Sequence, residues 1–179
     1  MKLRILIIGL VAAVLLPAAA FADAATAADK ANGARACQAL RTSLGAATFT
    51  STYGTNADKS NAFGQCVSKW TRGEHQNRLE AVTACKAEQA DAGVAAAHGD
   101  KTFDQFYGTG KNGANALQRC VQSKRLAASV GDRKATVNAA RSCKAERKEL
   151  GDAAFIAKYG GKANAFGKCV STLAQAHHG

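Results

Sequence analysis

Three stretches decide the fold: Asn61-Ala62-Phe63-Gly64-Gln65-Cys66-Val67-Ser68, Asn115-Ala116-Leu117-Gln118-Arg119-Cys120-Val121-Gln122 and Asn164-Ala165-Phe166-Gly167-Lys168-Cys169-Val170-Ser171. Each places an Asn five residues before a Cys-Val pair. Upstream of each lies a second set of matched positions. Cys37, Gly45, Phe49 and Tyr53-Gly54 precede the first stretch. Cys85, Gly93, Phe103 and Tyr107-Gly108 precede the second, and Cys143, Gly151, Phe155 and Tyr159-Gly160 the third. Gly always follows the first Cys by eight residues, and Phe always precedes Tyr by four. Copy two carries six extra residues between its Gly and its Phe, and copy three has a loop three residues shorter between Tyr and Asn. Variation confined to loops marks a repeated structural unit.

The offsets predict a unit of helix, short helix, loop and helix, and so an all-α fold of three tandem disulfide-stapled units, forming a small array or one bundle. Gly eight residues after the first Cys suits the left-handed position that ends a helix. Leu44, Ala92 and Leu150 precede that Gly and fall on the cysteine's face of the first helix. Phe and Tyr at i and i+4 share a face of the short helix, which the following Gly ends. Asn is expected as an N-cap whose side chain accepts from the next turn. Gly64 and Gly167 fall inside the third helix, where Gly costs about 1 kcal/mol relative to Ala. They mark either close packing against a neighbour or a later helix start.

The repeat favours pairing within each unit: Cys37–Cys66, Cys85–Cys120 and Cys143–Cys169. Each link closes a loop worth on the order of 3.5 kcal/mol in the chain-entropy model. A rival has Cys120 and Cys143 side by side across a helical hairpin turning near Gly131, leaving Cys37 to pair with Cys169. Units are expected over 34–70, 82–125 and 140–175. The polar connectors, 71–81 and 126–139, lack proline and are compatible with helices that run from one unit into the next. Residues 23–33 read as a disordered lead-in and 176–179 as a disordered tail.

The N-terminus is expected to be a signal peptide over 1–22. Lys2 and Arg4 precede an apolar run from Ile5 to Leu16, Pro17 breaks it, and Ala20-Phe21-Ala22 supplies a cleavage site. Retention as a membrane anchor is the alternative; no other stretch is apolar enough to span. Six cysteines in an exported chain read as a disulfide framework, and no C-x-x-C is present to suggest zinc, haem or redox chemistry. The chain is 47% apolar but only 6% aromatic, so its core is alanine-rich and needs covalent support. The formal charge of +11 falls to +9 once Lys2 and Arg4 are removed, which draws the chain to polyanions.

The Asn164–Ser171 run, with Cys143-Lys144-Ala145-Glu146, resembles a repeat of secreted bacterial proteins to which no activity is assigned. The resemblance spans nearly all of the chain after residue 22. It implies export and a repeat architecture, and no reaction.

No constellation of catalytic residues emerges. His75, His98, His177 and His178 do not recur between copies and lack metal-ligand spacing, and no cofactor motif is present. Glu88 and Glu146 share one offset, three after the first Cys, where copy one has Leu40; they read as helix-surface glutamates. Gly108-Thr109-Gly110-Lys111-Asn112-Gly113 lacks the spacing and the strand of a phosphate loop. The feature that stands out is basic. Arg119 to Lys148 holds nine Lys and Arg against Asp132 and Glu146. Lys134, Arg141 and Lys148 repeat every seven residues as one helical stripe, with Lys144 beside it. This reads as a polyanion-binding surface of an exported non-enzymatic interaction protein, the partner being an acidic envelope polymer or another exported protein. Export argues against nucleic acid. The alternatives are a protein-binding scaffold and an exported enzyme acting on wall polysaccharide.

Overall fold

The computed structural model describes residues 24–109, 112–161 and 164–176. The expected signal peptide, His177, His178, and Gly110 and Lys111 of the glycine-rich turn lie outside them. The described residues form seven helices and no strand: α1 (Ala27–Leu44), α2 (Ala46–Tyr53), α3 (Ala62–Ala90), α4 (Val94–Ala97), α5 (Phe103–Tyr107), α6 (Ala116–Tyr159) and α7 (Ala165–Gln175). Three disulfides staple them in the within-unit pattern, Cys37–Cys66, Cys85–Cys120 and Cys143–Cys169, with Cα–Cα distances of 5.9 to 6.0 Å. All six cysteines are fully buried. The rival pairing has no hairpin to form across, because α6 runs through Gly131 without a turn. Cys120 and Cys143 are held about 35 Å apart along it.

Each unit closes on the same small core. Phe49 lies 5.0 Å from Tyr53 between ring centroids, Phe103 5.0 Å from Tyr107, and Phe155 4.9 Å from Tyr159. In units 1 and 3 the helix after the Asn adds a second Phe at 6.4 Å, Phe63 and Phe166 respectively. The disulfide and an alanine (Ala62, Ala116 or Ala165) complete each cluster.

The units do not follow one another as a linear array, because they share helices. α3 begins in unit 1 at Cys66 and ends in unit 2 at Cys85. α6 starts in unit 2 at Cys120 and returns to unit 3 at Cys143. The two pack side by side, so units 1 and 3 meet at one end of the molecule and unit 2 caps the other. Leu44 seals the seam by packing against the cores of both unit 1 and unit 3. Gly167 is required at that seam: a Cβ there would lie 2.4 Å from the Thr52 carbonyl oxygen. Gly64, its counterpart in copy one, faces open space. Of the residues expected beside the cysteines, only Leu44 packs; Ala92 and Leu150 are exposed, since neither faces a second unit.

The lead-in expectation is corrected. α1 starts at Ala27 behind a capping box, with Asp29 N–H donating to Thr26 Oγ1 at 3.2 Å and Thr26 N–H to Asp29 Oδ2 at 2.9 Å. Asp29 is fully buried, with Arg78 Nε at 3.2 Å and Arg125 Nη1 at 3.7 Å. The first turn of α1 is thus tied to both long helices.

The glycine expectation holds in two copies as to positive φ, but not as to the left-handed helical conformation. Gly45 and Gly151 share a conformation, φ 75° with ψ 156° and 161°, which side chains avoid; Gly151 bends α6 into the short helix of unit 3. Gly93 does not follow them: its φ is −83°, and α3 ends earlier, at Asp91. The six inserted residues of copy two move the positive-φ positions to Gly99 and Asp100.

The Asn residues occupy N-cap positions, but their side chains do not cap. Asn61 Oδ1 accepts from Thr55 N–H at 3.0 Å while its Nδ2 donates to Thr55 Oγ1 at 2.7 Å. Asn115 clamps Thr109 in the same way, at 2.9 and 2.8 Å. The amide closes the preceding loop instead.

A Cβ at either Gly151 or Gly131 meets no atom within 4 Å, so substitution reports backbone conformation alone. Gly151→Ala is expected to destabilise by about 1–3 kcal/mol. Gly131→Ala, inside α6, is expected to stabilise by up to about 1 kcal/mol. Chemical denaturation of the oxidised protein checks both signs.

Candidate functional site

Helix α6 carries the four cations of the expected stripe, Lys134, Arg141, Lys144 and Lys148, all exposed. Among the described residues none of the four forms an ion pair. The stripe does not stand on a bare helix. α1 packs beside α6 and makes a groove with it. One stretch of about 310 Å³ is lined by Lys134, Arg133 and Arg141 against Leu40 and Ser43. The adjoining stretch, about 270 Å³, is lined by Arg35, Arg125 and Arg133, with Glu74 as its one carboxylate. From Arg125 to Lys148 the cations span about 35 Å of helix. Arg125 was counted in the basic run from Arg119 to Lys148 but not in the stripe, and Arg35 escaped the sequence reading because it enters the groove from α1.

A second cationic feature lies where units 1 and 3 meet. A cleft of about 240 Å³ is lined by Lys69, Arg72 and Lys168 together with the hydroxyl-bearing Thr55, Ser171 and Thr136, and no carboxylate enters it. Lys69 Nζ donates to Ser171 Oγ at 2.9 Å across the seam. Burial and then the neighbouring Arg72 charge pull the Lys69 ammonium below the ordinary lysine value. The signal in the sequence was available: at the offsets of Lys69 and Arg72 after the second cysteine, copy two has Ser123 and Leu126 and copy three Thr172 and Gln175.

Glu88 and Glu146 are not ordinary surface glutamates. Glu146 Oε2 accepts from the Tyr159 hydroxyl at 2.9 Å and Oε1 from Lys158 at 2.6 Å. Glu88 binds Lys124 Nζ at 2.9 Å and lies 2.7 Å from His98 Nε2, with the Tyr107 hydroxyl as a further partner. Each carboxylate satisfies the hydroxyl of its unit's tyrosine. Copy one has Leu40 in that place, and the Tyr53 hydroxyl instead accepts from Trp70 Nε1 at 3.1 Å; burial pushes this phenol up to about 12. The two glutamates sit in different units and face no common cleft.

The histidines are likewise structural in placement. His98, in the copy-two insertion, stacks on Phe106 at 4.0 Å. His75 lies 3.7 Å from Asp29. Among the described residues no group of His, Cys, Asp or Glu has the arrangement of a metal site.

No protein-family model, curated protein or solved structure matches the chain.

Asp29 and Glu88 share an electrostatic consequence. Burial alone raises each carboxyl, but hydrogen bonds outweigh it and hold both below their ordinary values: from Thr26 and Arg78 on Asp29, and from Lys124, Tyr107 and His98 on Glu88. A carboxylate depressed in the folded state contributes stability above its unfolded value and loses it as pH falls through the folded one. Stability is therefore expected to decline below about pH 4.5, the ordinary glutamate value. The slope of melting temperature against pH in that range should be shallower in Asp29→Asn and in Glu88→Gln than in the parent protein.

Proposed function

We propose that this chain is an exported, non-enzymatic interaction protein that holds acidic envelope polymers in the groove between α1 and α6. The observation that carries the reading is the row of cations without ion-pair partners, Lys134, Arg141, Lys144 and Lys148, continued by Arg125 and Arg133. The four unpaired cations, Lys134 to Lys148, lie along about 21 Å of rigid helix and present a line of positive potential to a linear polyanion. Such a surface attracts by charge without reading fine structure. Three disulfides suit the oxidising compartment that export implies. No described helix is long and apolar enough to cross a membrane.

A second reading has one observation behind it. Leu126 and Val130, one turn apart on α6, are 61% and 48% exposed, as suits a contact with another exported protein. The two readings separate by salt. Polymer binding is expected to weaken roughly tenfold or more between about 50 and 200 mM salt. It should be abolished in the triple variant Lys134→Glu, Arg141→Glu, Lys148→Glu, as measured by co-sedimentation with isolated envelope polymers. Capture that ignores both salt and the variant contradicts the groove and favours the apolar pair.

A further inference from the structure

The repeat supplies an internal control for function. A side chain present in all three copies serves the unit, whereas one that departs from the pattern and faces a space between copies is free to serve something else. Two such departures meet in the cleft between units 1 and 3, beside a third residue, Asn164, whose usual partner is missing in copy three. Lys69 and Arg72 occur at their offsets in copy one alone. The counterparts of Asn164, Asn61 and Asn115, each clamp a threonine of the preceding loop, but copy three has Gly161 where that threonine would stand. Asn164 lines the cleft, and its Oδ1 is buried without a hydrogen-bond partner. Either end of a carboxamide can face a ligand by rotation about its last bond.

The lining specifies the ligand class. Lys69, Arg72 and Lys168 bring three positive charges. Lys168 spends one donor on the Gly160 carbonyl and Lys69 one on Ser171; Arg72 makes no hydrogen bond or ion pair among the described residues. Thr55 and Ser171 add hydroxyls, which both donate and accept. At about 240 Å³ the space suits a single tetrahedral oxyanion with a few waters rather than a length of polymer. Two neighbouring cations with no carboxylate between them favour a doubly charged anion over a singly charged one.

We propose that the seam between units 1 and 3 is a binding site for a phosphate dianion, free or as the terminal monoester of a larger molecule, held by Lys69, Arg72 and Lys168 with Asn164 and Ser171. The site shares no lining residue with the α1–α6 groove, and it stands whether or not that groove binds polymer.

Calorimetric titration of the oxidised protein with inorganic phosphate, glycerol 3-phosphate and dimethyl phosphate, in low-chloride buffer at pH 7.5, tests it. Saturable one-to-one binding of phosphate is expected, with dimethyl phosphate at least roughly tenfold weaker. Binding of glycerol 3-phosphate as well as phosphate would assign the ligand as a terminal monoester; phosphate alone would assign a free ion. Lys69→Gln and Arg72→Gln should each weaken binding roughly tenfold, Lys69→Arg should retain it, and the triple groove variant should leave it unchanged. Amide shifts at residues 69, 72 and 171 localise the site. Absence of saturation, equal affinity for the diester, or insensitivity to both cleft variants would overturn the proposal, whatever the groove does.

Discussion

An α-helix of 29 residues does not fold back on itself, and α3 carries Cys66 near its start and Cys85 near its end. Two disulfides fixed about 28 Å apart on one rod cannot belong to one small core. The same holds for Cys120 and Cys143 on α6. This stiffness is what the remaining architecture depends on. It places unit 2 at the far end, returns the chain along α6, and sets unit 3 against unit 1. The seam, the groove beside α1 and the cleft between units 1 and 3 all follow from that return. The middle of the molecule is consequently polar. Asn77 donates to Asp132 at 2.9 Å, Ser129 donates to the buried Glu74, and Asp29 draws in Arg78 and Arg125. Such pairs contribute little net energy beside apolar packing; they fix how α1, α3 and α6 sit against one another.

Within each end the units obey one recipe with a single adjustable part. Phe and Tyr fill the space beside the disulfide, and the tyrosine hydroxyl must find a partner as it is drawn from water. Units 2 and 3 supply a glutamate from the first helix, and unit 1 an indole from the third. Leu40 in the place of glutamate and Trp70 against the Tyr53 hydroxyl are therefore two parts of one arrangement. Residues explained in this way have structural employment. Those left over, Lys69, Arg72 and the cations of the α6 stripe, are where interaction with other molecules is most economically placed.

Much of this was legible in the residues. Matched offsets gave the three units, the cysteine pairs, the Phe–Tyr contact and the connectors able to continue as helix, because all are local to one repeat. The Thr26-Ala27-Ala28-Asp29 capping signature was also on the page, though the polar composition around it reads as disorder; burial of Asp29 depends on arginines some 50 and 96 positions away, which no local pattern announces. Gly93 misled because the insertion after it relieves the tight turn its counterparts need. Asn61 and Asn115 misled because two sets of backbone N–H donors compete for the side-chain oxygen, and the loop threonine wins. The exposed stripe was visible as a period of seven. The cleft was not, since it is formed by residues from copies separated by some 100 positions, and only the fold-back brings them together.

That fold-back is tested most directly by short-range amine cross-linking of the dilute, oxidised monomer, followed by proteolysis and mass spectrometry. Lys69 and Lys168 lie on one cleft although a whole unit separates them in sequence. The account predicts an intramolecular Lys69–Lys168 link in high yield. A linear array, with unit 2 standing between units 1 and 3, would give links only between sequence neighbours, and absence of the Lys69–Lys168 link would contradict the architecture described.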